Sequence, residues 1–526
     1  MKNQQQKLKR IDSTASELVD LAESVDGIKV YNVSKSRLVS LINWVHVFGT
    51  YLPIIWFLIV GILVFQVISI LYDNRFDLQK FYNDEISTFS LARPVALDLG
   101  WKTMALIALF IWYVNHREKP IYLLDFSCFE PPDDWRLSPD ELLKIMRFQN
   151  VFTEESIEFL GKLLERSGCG PKTAWPPSII RCLKNLPADR SVEGARKESE
   201  IVIYDCVENV LKKTKLSPKD IDILIINCSL FSPTPSLCSM VINKFGMRSD
   251  ICSYNLSGMG CSAGIISIDL AKNLMASRPN CTALIVSTEN LTQNLYLGNE
   301  KAFLLQNTLF RCGGAAIVLS NKWLDGHKSN FKLLVSVRTQ YVTDDSFGCV
   351  YETEDEYSNR GVRLSKDIVK VAGRAMEQNF TTLGPYVLSF SEQFKTIFWM
   401  IIRYIAKRLN MKKVTPYVPD FKRGIDHFCI HAGGRGVIDG IEKNLKLSPK
   451  HVEASRYALY TYGNTSSSSI WYEMDYVRNN MELKPGQRVL QVAFGSGFKC
   501  NSAVWLCINN RKSTNANTDS KLSKED

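Results

Sequence analysis

"NLSGMGCSAGIISIDLAKNLM", residues Asn255 to Met275, sets one cysteine in a run of small residues and passes at once into an apolar helical pattern. The preceding "ICSYNL" reads as a strand and "SGMG" as a tight glycine turn. Ser262 onward reads as a helix with Ile265, Ile266, Leu270 and Leu274 on one face. Cys261 therefore stands at a strand-to-helix elbow, where the positive end of a helix dipole is expected to stabilise thiolate and lower the thiol pKa. Gly258 and Gly260 permit backbone geometry that a β-carbon forbids and leave room for a substrate. The elbow also aims the free N–H groups of the first helical turn at the space above the sulfur, where an oxyanion fits. The same residues also accommodate a second reading, a buried structural cysteine in a glycine turn.

Outward from the elbow, short apolar or β-branched runs alternate with helix-length segments carrying charged faces. "IDILIIN" (Ile221 to Asn227), "ALIVST" (Ala283 to Thr288), "AAIVLS" (Ala315 to Ser320) and "RVLQVAF" (Arg488 to Phe494) are the clearest strands. Strands alternating with helices imply an α/β fold with a largely parallel sheet covered on both faces. With 526 residues, 45% hydrophobic and 22% charged, the chain has enough apolar material for one large core or two medium ones. The net charge of +10 suits nucleic acid, an anionic membrane or a polyphosphate ligand such as coenzyme A. No stripe of alternating basic and aromatic residues favours nucleic acid. The fourteen cysteines sit in apolar contexts such as "IINCSL" and "VWLCI", as buried free thiols do in a reducing compartment.

The front of the chain differs in kind. Some forty polar residues with Lys7, Lys9 and Arg10 precede the first apolar run, which excludes a cleaved signal peptide. "YLPIIWFLIVGILVFQVISILY", Tyr51 to Tyr72, has the length of about 20 residues that a bilayer core requires. "VALDLGWKTMALIALFIWYVNH" contains Asp98 and Lys102 and spans only if Lys102 snorkels, the alternative being an interfacial helix. With Arg117 and Lys119 beyond it and a basic N-terminal tail, the positive-inside rule predicts a transmembrane hairpin with both ends cytosolic. Sequons at Asn255, Asn280, Asn290 and Asn464 agree with that side, because two of them fall in segments that carry chemistry. The expected divisions are a cytosolic tail at 1–40, a two-helix membrane anchor at 41–116, a first α/β half at 117–322, a second at 323–511 and a disordered tail at 512–526. "FKTIFWMIIRYIAKRL", Phe394 to Leu409, is too short and too charged to span. It reads as an amphipathic helix, either core-facing or resting on the membrane.

A cysteine nucleophile needs a partner for protons and developing charge. Among six histidines, His46 and His116 flank the apolar runs, while His327 and His451 sit in a polar turn and at a helix start. "DHFCIHAGGRGVID" offers His427 and His431. Their i, i+4 spacing would suit two metal ligands on a helix, but the segment reads as a strand entering a glycine turn and no third ligand is positioned, so no metal is expected. In "YGNTSSSSIWYEMDYV", Asn464 lies in a loop before a helix, where it is either a catalytic amide or a plain capping residue.

"NLSGMGCSAG", "HFCIHAGGR", "GNTSSSS" and "FGSGFKCNSAVW" together resemble the motifs of plant-type 3-ketoacyl-CoA synthases, membrane-anchored condensing enzymes related to chalcone synthase and the thiolases. "REKPIYLLDFSCFEPPDD", "NCSLFSPTPSL", "LFRCGGAAIVLSN" and "GVRLSKDI" match as well, so the resemblance runs in order from about Arg117 to Asn510. It implies a duplicated thiolase-like (αβαβα) fold behind two N-terminal transmembrane helices. It also implies a nucleophile at Cys261, with His431 and Asn464 as partners from the second half and His427 in support. Gly260, Gly495 and Gly497 would shape the active-site loop, and Arg311 and Lys499 are candidates for coenzyme A phosphates beside solvated or core-bridging roles.

The implied reaction is decarboxylative condensation of a long-chain acyl-CoA with malonyl-CoA, without a cofactor. It would be carried out by a homodimer on the cytosolic face of the endoplasmic reticulum membrane, with the other enzymes of an elongation cycle as partners. A biosynthetic thiolase would instead want a second cysteine as base, and a hydroxymethylglutaryl-type synthase a glutamate near the nucleophile. Two positions depart from the family pattern: Gln340 and Tyr460 stand where histidines are usual. Neither titrates near neutrality. An active enzyme with altered pH response or substrate range is expected, against the alternatives of a weakened paralogue serving as a regulatory subunit and a polyketide-type condensing enzyme.

Overall fold

The computed structural model describes residues 119–409 and 417–510, with positions 61, 62, 65, 66 and 69 in helical conformation near the front of the chain. The expected tail, almost all of the expected anchor and the C-terminal tail lie outside the described residues. Among the described residues no helix is long and apolar enough to cross a membrane. The chain divides into two compact units, Met1–Arg117 and Glu118–Asp526.

In the second unit nine strands form one sheet. They are β1 (Tyr122–Cys128), β2 (Ile223–Asn227), β3 (Cys252–Leu256), β4 (Thr282–Thr288), β5 (Gly314–Ser320), β6 (Phe331–Gln340), β7 (His427–Ile430), β8 (Arg488–Gly495) and β9 (Lys499–Cys507). Their order is β7-β8-β9-β6-β1-β5-β4-β2-β3. Starting from the β1–β6 pair, each direction repeats one pattern. β1 pairs antiparallel with β5, β5 antiparallel with β4, and β4 parallel with β2; β6 pairs antiparallel with β9, β9 antiparallel with β8, and β8 parallel with β7. The halves meet where Tyr122 and Leu123 pair with Lys332 and Phe331.

The expectation of a largely parallel sheet is corrected by this pairing, because only β2–β3, β2–β4 and β7–β8 are parallel. The reason is local: "GSGF" joins β8 to β9 by a connection too short for a crossover, so the next strand can only run back.

Four helices sort the strand side chains into layers: α1 (Val192–Thr214), α2 (Ala263–Ala276), α3 (Ile368–Val387) and, closing the second half, α7 (Ser469–Asn480). In β2, Leu224 and Ile226 face Val202, Cys206 and Val210 of α1, while Ile223 and Ile225 face Ile265, Ile268 and Met275 of α2. In β8, Val489 and Ala493 share the core of α2 with Ile470, Trp471 and Met474 of α7, whereas Leu490 and Val492 turn to Ala375, Met376 and Phe380 of α3. Both faces of every such strand are buried, which explains why "ILIIN" is continuously apolar. α2 and α7 form the middle layer of a five-layered thiolase-like body.

That position alters the expected face of α2. Its buried residues include Ile265, Ile268, Ala271 and Met275, while Leu270 and Leu274 stay partly exposed. A helix between two sheet halves is covered on more than one side, so a single apolar stripe does not describe it.

α2 packs against the turn Ser466–Ser468 that leads into α7 at Gly264, where an added β-carbon would lie 2.6 Å from the Ser467 carbonyl oxygen. Gly264→Ala is expected to cost about 1–3 kcal/mol through overpacking against backbone. Thermal unfolding of the variant beside the wild type measures it, and an unchanged Tm would show that the helix and the turn part freely.

Candidate active site

Each middle helix is preceded by a catalytic candidate. Cys261 lies in the single 3-10 turn Gly260–Ser262 that leads from β3 into α2, and Asn464 lies in the loop before α7, between α6 (Pro449–Tyr462) and the turn Ser466–Ser468. His431 follows the last residue of β7, ahead of α5 (Arg435–Leu445), and is held by its N–H donating to the Val492 carbonyl at 2.9 Å. All three occupy the C-terminal ends of parallel strands or the start of the helix behind them, the usual place for a site in an α/β sheet. They line one cavity of about 360 Å³.

The turn that carries Cys261 is locked from both halves. Gly260 has φ of +66° and sits so close to the β8–β9 turn that an added β-carbon would lie 2.7 Å from the Ser496 nitrogen. Gly495 presses on the same turn, its missing β-carbon 2.6 Å from the Met259 carbonyl oxygen. Gly497 completes the β8–β9 turn and accepts from Gln340 Nε2 at 3.2 Å.

Asn464 is pinned by its backbone. Its N–H donates to Leu309 at 3.1 Å and its carbonyl accepts from Arg311 N at 2.9 Å. Its side-chain orientation follows from its partners. Oδ1 accepts from Ser466 N at 2.9 Å, which turns Nδ2 towards the cavity and His431's turn, where it makes one long contact of 3.4 Å to the Gly433 carbonyl. An amide nitrogen has two protons, so one remains for a substrate oxygen.

The electrostatics differ from the elbow expectation. Burial pushes the Cys261 thiol up to about 12; the Ser466 hydroxyl, 3.6 Å from its sulfur, opposes this and the Glu289 carboxylate reinforces it. The expected lowering by the helix dipole is outweighed by this desolvation, with Cys261 half-buried at the cavity wall. Burial also drives His431 down to about 4. The resting pair is thus a neutral thiol and a neutral imidazole. Such an imidazole offers one N–H as a donor and is a weak base.

Two residues of this site escaped the sequence reading. Glu289, at the end of β4 in "VSTEN", is buried and accepts from Leu230 N at 2.8 Å, Ser229 N at 3.1 Å and the Cys228 thiol at 3.3 Å. Ser466 donates to it at 3.1 Å, which links the carboxylate to the Cys261 thiol through one hydroxyl. Burial raises the Glu289 pKa above the ordinary carboxylate value, against the pull of those donors. A carboxylate of the kind a hydroxymethylglutaryl-type synthase uses thus stands near Cys261. Its oxygens are taken up by protein donors, however, and its place is behind Ser466.

Glu289→Gln removes a negative charge beside the sulfur and is expected to favour thiolate. Iodoacetamide should then alkylate Cys261 on the order of 10²-fold faster at pH 9, given one charge roughly 6 Å away at an effective dielectric near 20. Mass-spectrometric rates for the two proteins test it, and equal or slower alkylation would remove Glu289 from control of the thiol.

The remaining candidates have other places. His427 begins β7, four residues and ~13 Å before His431, with Nε2 3.1 Å from Gln487 Oε1 at the far end of the strand. Arg311 is buried: Nε donates to Thr173 Oγ1 at 2.6 Å, one terminal nitrogen donates to the Phe310 carbonyl, and its guanidinium lies over the Trp175 ring. It bridges the core, and a coenzyme A phosphate would not reach it. Lys499 donates to the Ser496 carbonyl at 2.6 Å, its pKa lowered by burial and then by Arg338. Tyr460 points to solvent from α6 and lies outside the cavity wall. The cations at the cavity edge are instead Arg166 and Arg435, both exposed. Away from the catalytic end the wall is apolar, with Leu163, Leu305, Leu309, Val362, Leu364 and Ile368. Among the described residues no cluster of side chains could hold a metal ion.

Comparison with known proteins now places the chain. The model of the FAE1/type III polyketide synthase-like proteins matches residues 113–405, more than half of the sequence, and the C-terminal model of 3-oxoacyl-(acyl-carrier-protein) synthase III matches residues 422–507. The chain is 46% identical over 467 residues to 3-ketoacyl-CoA synthase 17 of Arabidopsis thaliana, covering 88% of this chain and 91% of that one. It is 50% identical over 435 residues to 3-ketoacyl-CoA synthase 2 of the same plant, covering 82% and 80%. The chain belongs to the 3-ketoacyl-CoA synthase family. It is an acyl-condensing transferase of the fatty-acid elongation class. Among solved structures it is similar to a type III pentaketide synthase from Neurospora crassa, with a TM-score of 0.58 and 18% identity over 74% of this chain and 99% of that one. A likeness at that identity concerns the fold alone.

Proposed function

We propose that this protein is a membrane-bound 3-ketoacyl-CoA synthase that condenses a long-chain acyl-CoA with malonyl-CoA by a decarboxylative Claisen reaction on Cys261. The observation that carries the reading is the meeting of Cys261, His431 and Asn464 at one end of an otherwise apolar cavity. The apolar wall suits an acyl chain, and Arg166 and Arg435 at its edge suit the phosphates of coenzyme A.

In the first half-reaction the Cys261 sulfur adds to the acyl thioester carbonyl and the bond to the coenzyme A sulfur breaks. The thiol proton ends on the departing coenzyme A thiol, so no lasting charge is left in a buried site. Malonyl-CoA then binds, and heterolysis of its bond to the carboxylate releases CO₂ and leaves an enolate. One N–H of neutral His431 and one of Asn464 meet the enolate oxygen. Because decarboxylation generates the carbanion, the reaction needs donors at this point and no strong base, as a histidine held neutral provides. The enolate carbon attacks the acyl-cysteine carbonyl, the carbon–sulfur bond breaks, and Cys261 takes one proton from solvent. The product is a 3-oxoacyl-CoA two carbons longer.

The same reading has the chain act without a cofactor, as a homodimer at the endoplasmic reticulum membrane with its catalytic unit in the cytosol. A reductase must follow it, because a 3-oxoacyl thioester is an intermediate of elongation. Replacement of the two usual histidines by Gln340 and Tyr460 spares the three residues that the chemistry uses. Neither of the two lies in the cavity wall, which argues against an inert subunit.

The test is condensation of labelled malonyl-CoA with acyl-CoAs from medium to very long chain by the detergent-solubilised protein. One labelled addition to long primers supports the synthase. Repeated extension of a small soluble starter would make it a polyketide enzyme, and no product from any primer would sink both.

A further inference from the structure

The helix α4 (Phe390–Arg408) carries the most exposed apolar surface of the catalytic unit. It follows α3 after one short turn, and one of its faces is fastened to the body near its start. There Glu392 is buried and accepts from Tyr417 Oη at 2.5 Å, Lys395 Nζ at 2.9 Å and Asp420 N at 3.2 Å. Trp399 and Ala406 continue that face, and the Trp399 ring lies parallel to that of Tyr417.

Among the described residues the opposite face is left exposed. Phe394, Ile397, Phe398, Ile401, Tyr404 and Ile405 recur at intervals of three and four and run along one stripe, with exposures between 47% and 70%. A soluble monomer rarely leaves a continuous apolar patch of this size uncovered. The exposed charged side chains on the helix are all cationic: Lys395, Arg403 and Arg408. Its one carboxylate, Glu392, is buried and paired. The sequence just beyond it adds Lys412 and Lys413 and no acid. An apolar stripe with purely basic flanks is the pattern of a helix lying in the interface of a bilayer that contains anionic lipid. A second copy of the chain would instead have to bring these like charges together.

We propose that α4 is an in-plane membrane-docking helix, which seats the catalytic unit on an anionic bilayer surface through Phe394, Ile397, Phe398, Ile401, Tyr404 and Ile405. The contact is separate from the run Tyr51 to Tyr72 read as spanning, and it takes the membrane-resting reading of this segment over the core-facing one. A unit held at α4 as well as by its N-terminal tether has a restricted orientation at the surface, which matters for an enzyme whose substrate partitions into lipid.

The full-length chain is reconstituted in vesicles of phosphatidylcholine and phosphatidylserine that carry a diazirine on one acyl chain, and lipid adducts are mapped by mass spectrometry after illumination. The expected result is adducts on peptides spanning residues 394–405. They should be lost in the Phe398→Glu/Ile401→Glu variant and reduced in vesicles without phosphatidylserine, while condensation in detergent stays unchanged because neither side chain lines the cavity. No adducts on those peptides, with adducts present on residues 51–72, would overturn the docking helix and leave the spanning segment standing. Crosslinks between copies at residues 394–405 in place of lipid adducts would overturn it in favour of a self-association face. Adducts on 394–405 and none on 51–72 would support docking and sink the spanning segment alone.

Discussion

Cys261→Ala is expected to abolish condensation while leaving malonyl-CoA decarboxylation measurable. The two activities use different atoms of one cavity. Carbon–carbon bond formation requires an acyl group held as a thioester at position 261, and alanine offers nothing to hold it. Loss of a nucleophile that acts with its partners as a unit lowers turnover by on the order of 10⁶-fold. Decarboxylation requires only that the enolate oxygen meet its donors, and His431 and Asn464 are positioned by β7, the backbone bonds of Asn464 to Leu309 and Arg311, and the Ser466 backbone N–H, which are main-chain contacts that do not include the thiol. Removing the sulfur also takes the Glu289–Ser466 pair out of contact with a titrating group. Release of labelled CO₂ from malonyl-CoA, followed beside product formation, separates the two activities. If decarboxylation disappears together with condensation while the fold is intact, the donors do not form an independent site.

The parts of this site that were legible in the sequence are those encoded locally. "SGMGC" before an apolar helix, "HAGG" after a strand and "GN" before a helix each fix a backbone turn from within a few residues, and the structure forms all three turns. The illegible parts depend on contacts between distant segments. Ser466 and Glu289 are 177 residues apart, and neither local stretch announces the other. The raised thiol pKa arises from burial by both halves, which the elbow alone does not contain. For Arg311 the sequence leaves a coenzyme A contact and a core-bridging role both open, because the Thr173 and Trp175 that enclose it lie far back in the chain. For α4 the periodicity was plain, but an apolar stripe reads the same whether it faces a core or a lipid. The exposure of Phe394 and Phe398 turns that face away from the core.

Asn464→Ala is expected to lower decarboxylation and condensation together by about 10²–10³-fold, the cost of one preorganised oxyanion donor, or about 2.7–4 kcal/mol of transition-state stabilisation. Acyl transfer to Cys261 should survive, because the first half-reaction places no enolate at the amide. The variant would therefore accumulate acyl-enzyme, visible as a mass increase on the peptide containing Cys261 after incubation with acyl-CoA. The pH response also distinguishes the donor role from a role as base. An amide does not titrate, and His431 is neutral at every pH well above about 4. The decarboxylation rate of the wild type should thus be flat from pH 6 to 8, and the Asn464→Ala variant should run parallel below it. A profile that rises through neutrality only in the wild type would mean that a titrating base acts at this position, and the assignment of Asn464 as an enolate donor would fall. Asn464→Asp keeps the size but loses the N–H, and its carboxylate would face the enolate with like charge. It should be no better than alanine, whereas a substantial recovery would show that shape rather than hydrogen bonding is what the position supplies.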